Sequence, residues 1–173
     1  MSRPQCVMLP DGTQEWRVNG ELHRKDGPAI VRANGDQMWY RNGKLHRKYG
    51  PAVVRANGDQ LWYFNGKLHR EDGPAEVSSN GGQFWFHSGI PHREDGPAVV
   101  SANGDQEWLH NGKLHREYGP AITSNGDHVW YFNGKLHRED GPAVVLANGL
   151  EEYWEHGRRI IKNDHVPSSP RGP

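Results

Sequence analysis

Six histidines recur along this sequence, each followed by an arginine, and together they could support two kinds of chemistry. Imidazoles with Asp or Glu nearby are ligands for zinc. A regular row of arginines could instead bind a polyanion or an anionic lipid surface. The interval is 23 residues four times and 22 once, and the histidines are His23, His46, His69, His92, His115 and His137.

The spacing favours a structural role for this His-Arg ladder. A period of 23 residues is typical of stacked repeats. Copies on neighbouring hairpins would lie about 9–10 Å apart, whereas zinc needs several ligands at about 2.0–2.1 Å from one ion. We therefore expect no metal and no cofactor. Each histidine should bond to backbone in a connecting loop, and each arginine should pair with an acidic residue one or two positions on.

The residues between the histidines predict a β-hairpin in each repeat. Two β-prone runs flank Asn57-Gly58, and Asn-Gly is the strongest short hairpin signal. We predict a type I′ turn there, and we interpret Asn65-Gly66 as the start of the link to the next hairpin. The turn glycines define seven units: Gly12, Gly35, Gly58, Gly81, Gly104, Gly126 and Gly149.

A tryptophan follows each of the first six turn glycines by four residues, and Tyr153 takes this position in the seventh unit. We predict that these rings form a continuous aromatic spine in the core, each ring covering part of the next repeat. A ladder that stacks bases or sugars is the alternative. The tryptophans are Trp16, Trp39, Trp62, Trp85, Trp108 and Trp130.

The residue after each tryptophan should face the opposite side of the strand, because side chains alternate with period two. This second column is mostly aromatic, and two interpretations remain open: part of the core, or an exposed stripe that binds a partner. The fourth unit diverges most and could be a contact near the middle of the rod. The candidate partner-binding residues are Tyr40, Tyr63, Phe84, Phe86, His87, Pro91, Tyr131 and Trp154.

Hairpins placed side by side predict an all-β fold. We expect an elongated, single-layer antiparallel sheet or solenoid of about seven concatenated hairpins, with degraded units as caps at both ends. Gln5-Cys6 replaces Pro-Ala at the start, and Ile160-Ile161 replaces His-Arg at the end. The repeat domain should cover residues 5–164, between a disordered N-terminus (1–4) and a disordered Pro/Ser-rich tail (165–173).

The sequence motif of the repeat is similar to that of a known family. Asn-Gly-Lys-Leu-His-Arg-Glu-Asp-Gly, followed by Ala-Asn-Gly-Asp, resembles the MORN repeat over about residues 5–164. The segment Asp-Gln-x-Trp-Tyr departs from that pattern, and Leu-His-Arg-Glu-Asp-Gly-Pro-Ala is closer to MORN-like proteins of large viruses, phages and some bacteria. The resemblance implies a non-enzymatic rod used as a scaffold, in dimers, at protein interfaces and at membranes.

Composition narrows the function classes further. The net charge is zero, from 21 basic and 21 acidic residues, so nucleic acid is not an expected partner and tight polyanion binding is disfavoured. Residues 1–60 carry +4 (10 basic, 6 acidic), and residues 61–173 carry −4 (11 basic, 15 acidic). Cys6 is the single cysteine, and the N-terminal residues do not have the apolar core expected of a signal peptide. The printed residues contain no apolar run long enough to span a membrane and none of the common enzyme motifs.

We therefore expect a cytoplasmic or virion-associated module that binds another protein through an elongated surface. A virion component and a factor that sequesters a host protein both remain open. Homo-oligomers could form through the sheet edges or the aromatic face. The alternatives are a peripheral binder of anionic lipid or polyanion through the His-Arg ladder, and a binder of small ligands through exposed aromatics.

Overall fold

A computed structural model describes residues 3–161, and these residues form β-strands, turns and loops without a helix. No helix in this part of the chain could therefore cross a membrane. The expected disordered segments fall largely outside it, since residues 1–2 and 162–173 lie outside the described residues. Residues 3–4 are described but form no strand, and β1 begins at Gln5.

Seven hairpins lie side by side in chain order and form one antiparallel sheet, which confirms the predicted fold class. Their first strands are β1 (Gln5–Met8), β4 (Ile30–Val31), β8 (Val53–Val54), β12 (Glu76–Val77), β16 (Val99–Val100), β20 (Ile122–Ser124) and β24 (Val144–Val145). Their second strands are β2 (Gln14–Val18), β5 (Gln37–Met38), β9 (Gln60–Leu61), β13 (Gln83–Phe84), β17 (Gln106–Glu107), β21 (Asp127–Val129) and β25 (Glu151–Glu155).

Each unit also contains a second, shorter hairpin, which we call a ribbon. In the first and seventh units it continues the main sheet, where β3 (Glu21–Leu22) pairs with β2 and β26 (Arg158–Ile160) pairs with β25. In the five inner units it is a separate two-stranded sheet. These ribbons are β6–β7 (Tyr40–Arg41, Lys44–Leu45), β10–β11 (Tyr63–Phe64, Lys67–Leu68), β14–β15 (Phe86–His87, Ile90–Pro91), β18–β19 (Leu109–His110, Lys113–Leu114) and β22–β23 (Tyr131–Phe132, Lys135–Leu136).

The tryptophan is the residue at which the chain passes from the sheet to the ribbon. The Trp62 N–H donates to the Ala75 carbonyl of the next unit at 2.7 Å, and the Trp62 carbonyl accepts from the His69 N–H in the ribbon at 3.0 Å. Its two backbone groups therefore connect different hairpins. Side chains before and after the tryptophan therefore belong to different hairpins, and the alternation of faces expected along one strand does not continue past this residue.

The two Asn-Gly turns form different structures, and the predicted type I′ turn at Asn57-Gly58 is wrong. Gly58 has φ +98°, whereas Asn57 is not among the residues with positive φ. The Arg55 N–H donates to the Asp59 carbonyl, so the loop has three residues and ends in a left-handed glycine. The type I′ pattern lies instead in the ribbon, where Asn65 and Gly66 have φ of 49° and 81°.

The sixth unit is one residue shorter than the others, and the main-sheet turn accommodates the deletion. Its turn has two residues, Asn125 and Gly126, with φ of 48° and 89°. Ser124 and Asp127 then pair directly across it. The three-residue turn has been replaced by a two-residue type I′ turn, so the strands of the main sheet remain continuous on both sides.

The sheet buries small residues rather than aromatic rings. The alanine after each Gly-Pro has no exposed surface, at Ala29, Ala52, Ala75, Ala98, Ala121 and Ala143. Ile30, Val53 and Leu61 are the other buried apolar residues in the described chain. In the first unit Cys6 occupies the position equivalent to these alanines. It is exposed, because β1 lies at the edge of the sheet.

Aspartates at the main-sheet turns bind one unit to the next. The Asp36 carboxylate accepts from the Ala56 N–H at 2.8 Å, and the Asp59 carboxylate accepts from the Ser79 N–H at 2.8 Å. These backbone hydrogen bonds lower the pKa of Asp36 and Asp59 below the ordinary value of 3.8, aided by the side chains of Asn34 and Asn57. The turn aspartate is therefore a structural link in its charged form.

The lowered pKa values predict an acid-dependent loss of stability. A carboxyl group with a depressed pKa in the folded state contributes its full stabilisation above 3.8, and loses it as pH falls through the folded-state pKa. We expect the double variant Asp36→Asn/Asp59→Asn to unfold at lower urea concentration than the wild type at pH 7, with the gap narrowing below about pH 4. Urea titrations across pH measure this, and a gap that stays constant would contradict the link.

Candidate binding surface

The arginine of each Leu-His-Arg phrase packs on the tryptophan of the same unit. In the six units the guanidinium carbon lies 3.8–4.3 Å from the ring centroid. The same guanidinium donates to the proline carbonyl four residues on, as Arg93 does to Pro97 at 3.3 Å. A Cβ built on Gly96 would lie 2.7 Å from the Arg93 Cζ, so the glycine leaves room for the guanidinium.

This arrangement corrects the predicted aromatic spine. In the described part of the chain no ring contact joins one tryptophan to the next, and every tryptophan is half-buried. Each ring is covered by an arginine of its own unit instead. Cation–π pairs of this kind contribute about 0.5–2 kcal/mol, so the tryptophans stabilise the unit although they do not form a closed core.

The arginines begin six short loops, 24–27, 47–50, 70–73, 93–96, 116–119 and 138–141, which we call the Arg loops. In three of them the predicted ion pair forms with the acidic residue two positions on. The distances are 2.9 Å for Arg70 and Asp72, 3.0 Å for Arg93 and Asp95, and 2.8 Å for Arg138 and Asp140. Hydrogen bonding to the arginine lowers the pKa of each of these aspartates.

Two Arg loops differ because tyrosine replaces the aspartate. Tyr49 and Tyr118 are 77% and 86% exposed. The glycines that follow them, Gly50 and Gly119, have φ of 100° and 108°, whereas the other four glycines of this position have no positive φ. A tyrosine at this site therefore accompanies a changed loop conformation and points into solvent.

Each histidine of the ladder accepts a hydrogen bond from a backbone N–H of the neighbouring unit. The His92 Nδ1 accepts from the Asn111 N–H at 3.1 Å, and the His69 Nδ1 accepts from the Ser88 N–H at 3.1 Å. The other four accept from Asn42, Asn65, Asn133 and His156. The residue that accepts the bond is one unit away from the donor, so the ladder holds successive ribbons together.

One group in the described residues has the composition of a metal site. Candidate ligand atoms of His92, Glu94 and His110 lie within 4.8 Å of one another. The His92 Nδ1 accepts a backbone N–H, so a neutral His92 carries its proton on Nε2, which faces Glu94 at 3.8 Å. A protonated Nε2 cannot bind a metal. Two remaining ligands are fewer than a zinc site requires.

The ribbons also bring a second column of rings beside the histidine ladder, which the sequence analysis missed. Four of these rings lie two residues after the tryptophan and are exposed: Phe64, His87, His110 and Phe132. The last ring is exposed His156, which lies in the turn of the seventh ribbon. These rings alternate with the ladder histidines in a row from His46 to His156, with centroids 4.2–6.2 Å apart. The recurrence of Phe or His at this position is the signal that could have revealed the row.

The predicted partner-binding residues are less accessible than an exposed stripe requires. Seven of them are half-buried, namely Tyr40, Tyr63, Phe84, Phe86, Pro91, Tyr131 and Trp154, and only His87 is exposed. Burial raises the pKa of Tyr63, and Glu76 raises it further. Phe86 and His87 lie beside each other in β14, while Phe84 lies in β13 of the main sheet, so the structure separates these fourth-unit residues between two hairpins.

Open grooves separate consecutive Arg loops. Four such grooves, of about 570–840 Å³, follow one another from residue 47 to residue 140. Each is lined by two Arg loops and by the tryptophan between them; the first, of about 660 Å³, contains Arg47, Tyr49, Trp62 and Arg70. The Arg loops and their grooves thus form a repeating surface of aromatic faces and charged groups.

Comparisons with known proteins do not assign this surface to a characterised protein. No protein-family model matches the chain, and no curated protein sequence is significantly similar to it. The function must therefore be argued from the side chains that the fold leaves exposed.

Proposed function

We propose that the chain is a non-enzymatic scaffold module that binds another protein along the Arg loops and their grooves. The supporting observation is the division of the side chains into those that make contacts within or between units and those that remain exposed to solvent. The ladder histidines, the arginines and the tryptophans are engaged in contacts within and between units. The aromatic side chains left exposed beside them are Tyr49, Phe64, Tyr118 and Phe132.

These four side chains suit a protein interface by type and by position. Aromatic residues, Tyr above all, are enriched among the residues that dominate binding energy. Tyr49 and Phe64 line the first groove, and Tyr118 and Phe132 line the fourth. In each pair, a tyrosine from an Arg loop and a phenylalanine from a ribbon line the same groove. The two pairs give a partner two equivalent contacts along the rod.

The proposal includes a cytoplasmic or virion-associated location, and the resemblance to the MORN repeat supports it. A virion component would bind a protein of the particle, whereas a sequestering factor would bind a protein of the host. The identity of the captured partner separates these two roles.

The test is affinity capture from native host lysate and from purified particles, with one disruptive and one control variant. We expect wild type to retain one protein in stoichiometric amount, and Tyr118→Asp/Phe132→Asp to lose it while its thermal melting stays unchanged. Met8→Asp is the matched control, because Met8 is 62% exposed on β1, away from the Arg loops. Capture that is equal in all three proteins, or no capture by wild type, would overturn the proposal.

A further inference from the structure

The six arginines of the Arg loops are not equivalent, and the difference lies in the partner of their Nε edge. In loop 70–73 the Arg70 Nε donates to the Asp72 carboxylate at 2.9 Å. In loop 47–50 the corresponding position is Tyr49, and no ion pair joins Arg47 to an acidic residue in the described chain. We propose that Arg47 is the centre of an anion-binding site, for the phosphate or sulfate group of a ligand.

The guanidinium of Arg47 is already held in place. Its Cζ lies 3.9 Å from the centroid of the Trp39 ring, and its Nη1 donates to the Pro51 carbonyl at 3.1 Å. These two contacts are the ones that fix Arg70 on Trp62 and Pro74. An arginine fixed in advance loses less conformational freedom on binding. Its planar donors match the oxygens of phosphate and sulfate.

The charges around Arg47 also favour an anion. Loop 47–50 contains Arg47 and Lys48 and has no acidic residue, whereas every other Arg loop has at least one. Lys48 is exposed, and its Nζ lies 5.0 Å from the Tyr49 ring centroid. The far wall of the groove carries Asp72, which Arg70 already neutralises, and exposed Glu71.

Loop 116–119 is an internal control for this interpretation. Arg116 stacks on Trp108 at 3.8 Å and is followed two residues later by Tyr118, so its Nε edge also lacks an aspartate. Glu117 stands where Lys48 stands in loop 47–50, so a negative charge replaces a positive one beside the arginine. The local charge at loop 116–119 therefore opposes an anion. Loop 116–119 should therefore not bind the anion.

The experiment is a titration with inorganic phosphate, and then with sulfate, at low ionic strength, followed by ¹H–¹⁵N NMR of the arginine Nε–Hε and tryptophan indole signals. We expect saturable shifts at Arg47 and Trp39 and none at Arg116 and Trp108. Tyr49→Asp introduces the aspartate that pairs with the arginine in loops 70–73, 93–96 and 138–141, and it should weaken the affinity about tenfold or more. Lys48→Glu should do the same, because it reverses a charge beside the site.

Tyr118→Asp is the matched control, and it should leave the phosphate affinity unchanged. Two results would overturn the proposed site: a phosphate affinity that Tyr49→Asp does not alter, or chemical-shift changes of equal size at all six arginines.

Sedimentation with phosphatidylserine and phosphatidylcholine vesicles identifies the source of the anionic group. Phosphatidylserine-dependent sedimentation lost in Tyr49→Asp indicates a lipid headgroup, and localised phosphate binding without sedimentation indicates a soluble ligand. The site shares the first groove with the proposed protein interface. Tyr118→Asp/Phe132→Asp changes only the fourth groove's aromatic pair and should retain phosphate binding, so failure of one proposal is distinguishable from failure of the other.

Discussion

Replacing Trp62 by alanine should lower the free energy of unfolding by about 3 kcal/mol, the lower end of the range for a large aromatic residue in a core. Trp62 is half-buried, but its ring supports the Arg70 guanidinium at 4.3 Å and occupies the point where the chain leaves the main sheet. The loss should therefore affect both hairpins of the unit. Urea unfolding followed by circular dichroism measures the change.

The contribution of the stack itself can be separated from that of the ring. In a double-mutant cycle with Trp62→Ala and Arg70→Ala, the coupling energy should be about 0.5–2 kcal/mol, as for other cation–π pairs. Trp62→Phe keeps an aromatic face and should recover part of the loss. A total change below about 1 kcal/mol for Trp62→Ala would show that the tryptophans are surface residues with little structural role.

The second large effect is expected at the buried alanines. Ala98 has no exposed surface, its carbonyl accepts from the Trp85 N–H at 2.7 Å, and its N–H donates to the Glu107 carbonyl at 2.8 Å. Because Ala98 has no exposed surface, a larger side chain must displace the groups that pack against it. Ala98→Leu should destabilise the protein by about 1–3 kcal/mol or more, the range for overpacking.

The control for this substitution is Ala102, in the main-sheet turn of the same unit. Ala102 is exposed, so Ala102→Leu should change stability by no more than about 0.5 kcal/mol. Both variants are compared with wild type by urea unfolding. Equal stability of the two variants would mean that the sheet does not pack tightly around the Gly-Pro-Ala phrase.

The sequence is sufficient to predict the number and order of the main-sheet hairpins, because Asn-Gly recurs at a fixed period and the strand pairing is local. It does not distinguish the two turn types. Asn57-Gly58 and Asn65-Gly66 have the same residues, and the choice between a two-residue and a three-residue loop depends on how the flanking strands pair. The link between main-sheet hairpins was therefore not recognised as a hairpin.

The candidate surface was harder to predict for a related reason. Strand alternation assigns Trp62 and Tyr63 to opposite faces, but the chain changes hairpins at Trp62, so the two residues line the same groove. The exposed ring two positions after the tryptophan, Phe64 in this unit, belongs to the ribbon. Tyr49 and Tyr118 stand where three other Arg loops have an ion-paired aspartate, and this loop position is exposed with either residue.

The side-chain links between units have a consequence for how the chain folds and how it responds to force. The Asp59–Ser79 and His92–Asn111 bonds join residues 20 and 19 positions apart, within one repeat length. Contact order is therefore low for a β-protein, so folding should be fast and could begin at any neighbouring pair of units. Pulling the two ends apart should break one junction at a time, and force spectroscopy would record a series of small steps of similar length.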